Sequence, residues 1–285
     1  MLGRSLPEQP SQQPLFPLMD PTGMIPVSPR HWVKLLPEYH HLVERAPGSD
    51  YVVRTLLHRK VGGMPLMSAE LVIASAETRE RYPLAAAYPL HFRKTYFPAS
   101  LHGDPQIEFE RQSRAASLLG LPLPIGWSPL TFRTCFFPGK PYDRLSPFGA
   151  DPEEQNIQIA RELPLATAAG LWRLLEQAFQ LLTTLHQNAF VHGDAELHNL
   201  IVCPAPLELL LIDFENSAER GAEDDQTWKS RTVKDLTLIL KEAVFLQCAL
   251  GLQPGEMAQS AWNEMERLFK SPERFRRAIQ RQAEV

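Results

Sequence analysis

Residues 182–217 read LTTLHQNAFVHGDAELHNLIVCPAPLELLLIDFENS. This stretch holds His192-Gly193-Asp194, then Asn199 five residues after the aspartate, then Asp213-Phe214-Glu215. A long amphipathic segment leads into the first group, and a short apolar run leads into the second. The residue types suit phosphoryl transfer from a nucleotide. A hydroxyl acceptor needs a carboxylate to orient it and take its proton, a role open to Asp194. A polyphosphate needs Mg²⁺, which prefers hard oxygen ligands; the Asp213 carboxylate and the Asn199 amide carbonyl are such donors.

The segment resembles the catalytic and metal-binding loops of the protein-kinase-like superfamily, H-x-D-x-x-x-x-N followed by D-F-G. The HGD…N form is closest to aminoglycoside phosphotransferases and related small-molecule kinases. It is also similar to minimal bacterial kinases, including those acting on lipopolysaccharide sugars. The resemblance implies an α+β, two-lobe protein-kinase-like fold with a small β-sheet N-lobe and a helical C-lobe. It implies ATP and Mg²⁺ as cofactors, Asp194 as the catalytic base, and Asn199 and Asp213 as metal ligands.

It also implies partners upstream. A strand lysine should grip the phosphates and pair with a helix glutamate. Lys94, in HFRKTYF, is well placed, and Phe92 on the same strand face would stack on adenine. Glu108 and Glu110 both lie in the early turns of the 105–119 helix. Gln112, Ala115, Ala116 and Leu119 share the Glu108 side at helical spacing, which favours Glu108 as the Lys94 partner. Phe136 and Phe137 open the expected hinge, 136–139, where backbone groups would read adenine. Asp235 resembles the superfamily's helix aspartate that braces the catalytic loop, and His192 is expected to be structural.

The departures from the pattern bear on function. No GxGxxG is present, and Gly62-Gly63 is a weak substitute. DFG is replaced by DFE, and Glu215 adopts left-handed φ less cheaply than glycine, so a fixed loop is expected. Gly193 stands where protein kinases carry arginine, and no APE motif follows. The first expectation is a kinase transferring the γ-phosphate to a small-molecule or sugar hydroxyl. Alternatives are a compact bacterial serine/threonine protein kinase acting as a secreted effector, a pseudokinase scaffold, and an AMP transferase.

Outward from this segment, proline divides the chain. There are 26 in 285 residues: seven in 1–30, thirteen in 31–150 and six in 151–285. Proline removes a backbone donor and breaks helix interiors, so the front should be loops and short strands and the back helical. Residues 1–30 are rich in Pro, Gln and Ser and read as a disordered or extended tail, open to a partner. Residues 31–137 form the expected N-lobe: a short helix at 31–44, strands at 51–57, 69–75, 90–97 and 130–137, the helix at 105–119, and a connector at 121–124. Residues 138–285 form the expected C-lobe: a helix at 168–187 capped by Thr167, short strands at 200–202 and 207–212, and helices at 231–250, 254–269 and 272–283.

Net charge is −4, with 33 acidic against 29 basic residues, and the isoelectric point is near 6.2. That balance argues against a nucleic-acid binder. No apolar run reaches the ~18 residues of a membrane span, and no Sec-type leader is apparent. Three separated cysteines make no disulfide framework. The expected location is the cytoplasm, with secretion by a non-Sec route under the effector alternative.

Overall fold

The computed structural model describes residues 19–44, 48–61, 64–97, 103–141, 157–158, 168–204 and 207–249. Gly62-Gly63, Thr167 and the helices expected at 254–269 and 272–283 lie outside them. In chain order the first lobe contains β1 (Met24–Ser28), β2 (His31–Leu35), α1 (His40–Glu44), β3 (Tyr51–Val61), β4 (Met64–Ile73), α2 (Ala76–Arg81), α3 (Pro83–Ala87), β5 (Leu90–Tyr96), α4 (Pro105–Leu119), β6 (Pro124–Ser128) and β7 (Thr131–Cys135). After the crossing come β8 (Lys140–Pro141) and β9 (Ile157–Gln158), the latter pairing back onto β2, and then the rest of the second lobe: α5 (Ala168–Gln187), β10 (Phe190–Val191), β11 (Leu200–Pro204), β12 (Leu207–Leu211), β13 (Ala218–Glu219) and α6 (Asp225–Ala249).

The N-lobe is built on an antiparallel five-stranded sheet in the order β3-β4-β5-β7-β6. Its register sets Ala69, Lys94 and Phe132 in one transverse row and Leu71, Phe92 and Thr134 in the next. Because side chains alternate along each strand, both rows can face the same cleft. Helix α4 packs beside this sheet. Asp104 caps it, accepting the N–H groups of Gln106 at 2.8 Å and Ile107 at 3.3 Å, with Pro105 at its first position. Gly120 ends it at φ 81°, a left-handed conformation that favours glycine. Glu108, Gln112 and Ala115 form its buried side.

The C-lobe core is centred on α5. Leu174, Leu175, Ala178, Phe179, Leu182 and Leu185 are buried at helical spacing. They pack with Phe190, Leu200, Phe214, Leu236 and Ile239. Each such side chain contributes about 1.5–3 kcal/mol on burial, so this cluster anchors the loops between α5 and α6. Ala115 of α4 joins the same cluster and ties the lobes together. The chain crosses between lobes at 136–139, where β7 gives way to β8, which pairs with β11. A Cβ on Gly139 would overlap the Val202 carbonyl, so the crossing hugs β11. The result is an α+β, two-lobe fold with a β-sheet N-lobe and a helical C-lobe, the architecture that the protein-kinase-like resemblance implies. Among the described residues, no helix is long and apolar enough to cross a membrane.

The beginning of the fold differs from the sequence expectation. Residues 24–35 form an antiparallel hairpin, not a tail running into a helix, and α1 is confined to His40–Glu44. Ile25, Val27, Val33 and Leu35 alternate inward and pack on Val53, Leu71, Ile73 and Leu90. Period-2 burial overrides the tail-like composition of this stretch. At the hairpin tip, Arg30 pairs with Glu208 of β12 at 2.6 Å. The buried His31 ring lies beside the same carboxylate at 3.4 Å. Its Nδ1 is 2.6 Å from Ser28 Oγ, and its ring meets Phe137 edge-on at 5.6 Å. The hairpin therefore touches the N-lobe core, the crossing and the C-lobe.

Two smaller differences have local causes. The 121–124 connector runs directly into β6, which starts at Pro124, a position where proline's missing N–H is tolerated. Helix α6 starts at Asp225 instead of near 231. Asp224 accepts the Thr227 N–H at 2.8 Å and caps it earlier than the apolar pattern suggested.

Candidate active site

Lys94 is the centre of the site. It rises from β5 into the space between the lobes with its side chain 7% exposed. Its ammonium lies 3.1 Å from Glu108 Oε1, 3.2 Å from Asp213 Oδ1 and 2.7 Å from Glu215 Oε2. Burial alone would depress the Lys94 ammonium. Asp213, Glu108 and Glu215 overcome that and hold it well above the usual lysine range. Burial pushes the Glu108 carboxyl up, against the opposing pull of Lys94. The second Glu108 oxygen accepts the Tyr96 hydroxyl. Glu110 is elsewhere: it is exposed on α4 and accepts the Gln106 side-chain amide at 2.9 Å. Of the two glutamates, only Glu108 meets Lys94, because the inward side of α4 carries Glu108, Gln112 and Ala115.

Asp213 and Glu215 reach Lys94 from a tight turn. Asp213 itself carries the left-handed φ, 63°. Phe214 is buried against His192 at 4.8 Å between ring centroids. Arg111 of α4 donates to the Glu215 carbonyl oxygen. The turn is thus fastened to both α4 and the C-lobe core.

The His192-Gly193-Asp194 loop is fastened from below by Asp235 of α6, which is fully buried. Asp235 Oδ2 accepts the His192 N–H at 2.9 Å and Oδ1 accepts the Gly193 N–H at 2.8 Å. His186 Nε2 lies 3.0 Å from Oδ2. His192 Nε2 donates to the Ile212 carbonyl at 2.9 Å, leaving Nδ1 to accept the Asp194 N–H at 3.3 Å. Burial depresses the His192 imidazole despite nearby Asp235, so the neutral ring is a structural tie between the two loops. Gly193 has φ 83°, and a Cβ there would overlap Asn216 O. Asn199 is buried and donates its amide N–H to Asp194 O at 2.9 Å, with Asp194 Oδ2 at 3.5 Å.

Above these loops lies a cavity of about 420 Å³. Ala69, Leu71 and Phe92 line its N-lobe side, Ile201 and Ile212 its C-lobe side, and Phe136 and Phe137 its crossing end. Lys94, Glu108 and Asp213 line the cavity as well. A mostly apolar cavity with a few charged groups in its wall is the usual build of a small-molecule site. Glu108, Asp213 and Glu215 bring carboxylate oxygens within 4.8 Å of one another and could hold a metal ion such as Mg²⁺. The ammonium of Lys94 is the cation that sits among them here.

Several residues at this site had no sequence signal of their own. Tyr96 was visible only as a neighbour of Lys94 on its strand face. Arg111 and Arg54, the latter in the cavity wall, belong to no sequence motif, and the Glu196-x-His198 pair lacks zinc-ligand spacing. His198 lines the cavity and pairs with Glu196 at 3.2 Å.

No family model matches the chain, and no curated protein matches it. Among solved structures, the kinase domain of Mycobacterium tuberculosis PknI is similar. It shares 15% identity at a TM-score of 0.49, over 82% of this chain and 96% of that chain. A double mutant of the same domain shares 15% identity at a TM-score of 0.46, over 83% of this chain and 96% of that one.

Proposed function

We propose that the chain is an ATP- and Mg²⁺-dependent phosphotransferase acting on a hydroxyl, most readily that of a small molecule or sugar. The observation that carries this reading is the meeting of Lys94, Glu108 and Asp213 in the wall of a cavity beside the braced Asp194 loop. Bound Mg²⁺–ATP supplies the transferable γ-phosphoryl group and the cationic charge that offsets it. Glu108, held by Tyr96, orients Lys94 toward the phosphates. Asp213 and the Asn199 side-chain oxygen offer the metal ligands. Asp194 orients the acceptor hydroxyl and takes its proton. Phe92, Phe136 and Phe137 form the base end of the cavity.

The preference for a small acceptor has its own support. Only residues 217–224 separate the Phe214–Asn216 turn from α6. That stretch is too short to build an extended peptide-binding surface beside Asp194. The test is transfer of labelled γ-phosphate to a panel of sugars and aminoglycosides, with protein acceptors scored by intact mass. Loss of transfer in both Asp194→Asn and Asp213→Ala is expected. Undiminished transfer in both would overturn the assignment.

A second reading, a nucleotide-holding scaffold, is favoured by Glu215, whose carboxylate occupies Lys94. A thermal-shift measurement with ATP, with and without Mg²⁺, followed by product mass, separates the two. A shift without any phosphorylated or adenylylated product supports the scaffold.

A further inference from the structure

Lys94 carries three N–H donors, and three carboxylates lie within reach of them: Glu108, Asp213 and Glu215. A phosphate oxygen can contact this ammonium directly only by replacing one of them. Glu108 is the hardest to move. Its side chain is 4% exposed and its other oxygen accepts Tyr96. Glu215 is the easiest. Its side chain is 38% exposed and it is the carboxylate nearest to Lys94, at 2.7 Å.

We propose that Glu215 is an internal competitor for the phosphate grip. In the nucleotide-free protein it takes the place on Lys94 that a ligand phosphate must occupy, and nucleotide enters by displacing it. This rests on the reading of the cavity as a nucleotide site.

The local build fits displacement of the side chain without movement of the turn. Arg111 holds the Glu215 carbonyl oxygen, and Ser217 N–H and Oγ both bond Phe214 O, so the backbone is pinned on both sides. The side chain has only its rotamers to change. The Tyr96 hydroxyl is 3.5 Å from Glu215 Oε2, at the edge of hydrogen-bond reach, while it is committed to Glu108. Electrostatics points the same way. Three carboxylates around one ammonium leave an excess of two negative charges, which opposes an incoming polyphosphate. Moving Glu215 away, or adding a divalent cation, relieves that excess. The competition therefore makes nucleotide entry depend on cation more steeply than a grip without Glu215 would.

The test compares full-length wild type with Glu215→Gln, which keeps the shape and removes the charge. Calorimetric titrations use adenylyl imidodiphosphate and, separately, inorganic tripolyphosphate, each in EDTA and in excess Mg²⁺. The competitor role predicts that Glu215→Gln binds both probes about tenfold more tightly in EDTA, the scale expected from removing one nearby unit charge at a half-exposed site. The difference should narrow in Mg²⁺. Equal affinities in EDTA overturn the proposal. So does weaker binding by the variant confined to Mg²⁺, which would make Glu215 a metal ligand instead. If tripolyphosphate shows the effect but adenylyl imidodiphosphate binds no better than tripolyphosphate, the competitor stands and the nucleotide reading falls. If the variant binds neither probe, the competitor falls too.

Discussion

Asp235 and Gly193, 42 residues apart, meet through a 2.8 Å hydrogen bond from the Gly193 N–H to Asp235 Oδ1. The same carboxylate also accepts the His192 N–H, so one side chain of α6 fixes the loop that presents Asp194. Asp235→Ala would leave these backbone donors and His186 without their acceptor. Loss of about 3–5 kcal/mol of stability is expected, the range for breaking a buried charged network. Asp235→Asn, which keeps one acceptor oxygen, should lose less. Urea denaturation of the two variants checks the order.

Gly193→Ala is expected to be severe for a substitution of one methyl group. The left-handed φ costs a residue with a Cβ about 1–2 kcal/mol, and that Cβ would also overlap Asn216 O. The His192–Asp194 loop and the 214–216 turn must then separate. Phosphate transfer should fall further than the melting temperature suggests, because the separated loops carry Asp194 and Asp213. Initial rates measured well below the melting transition isolate that effect.

Substitutions at Glu108 and Glu110 should give opposite results despite a separation of two residues. Glu108→Ala removes the buried partner of Lys94 and leaves Tyr96 without its acceptor. A loss of about 3 kcal/mol is expected, together with weakened nucleotide binding. Glu110→Ala removes an exposed contact to Gln106 and should leave both measurements unchanged. Parallel denaturation and nucleotide titration provide the check.

Stability should fall on mild acidification. Burial depresses the His31 imidazole from 6.5 to about 4, with Arg30 adding to the effect. It depresses His91 from 6.5 to about 3, with Arg133 acting in the same direction. Both folded-state values lie below the unfolded one, so the unfolded chain binds protons first. The stability contributed by keeping these rings neutral is complete above pH 6.5 and is lost as pH falls through 4 and then 3. Glu208 and Arg30 are the charged groups facing His31; Asp50, Arg133 and Arg93 surround His91. In His31→Asn the decline between pH 6.5 and 4 should be shallower, as read from denaturation midpoints across that range.

The parts of the molecule legible in the sequence were those governed by short-range chemistry. Pro105 and Gly120 mark both ends of α4 because caps and breakers act on neighbouring residues. Leu174 to Leu185 mark the inner face of α5 because helical burial has a short period. The HGD…N and DFE groups read directly because each occupies one continuous loop. What did not read were relations set by distant segments. The inward alternation of Ile25, Val27, Val33 and Leu35 is plain once β3, β4 and β5 are beside it, but a Pro-rich, Gln-rich neighbourhood hid it. Arg111 carries no motif of its own, and Glu215, marked in the sequence only as the residue in place of the DFG glycine, gave no sign that it would reach Lys94. The weight given to Glu108 over Glu110 came from helical phase, and the structure puts only Glu108 beside Lys94.

The hairpin of β1 and β2 also has a temporal consequence. Its apolar side needs β3, β4 and β5, its tip needs Glu208 of β12, and its edge needs β9. During synthesis it leaves the ribosome before all of them, with its inward side chains uncovered. Long-range contacts of this kind form late. Though they come first among the described strands, β1 and β2 are thus among the last to reach their final neighbours.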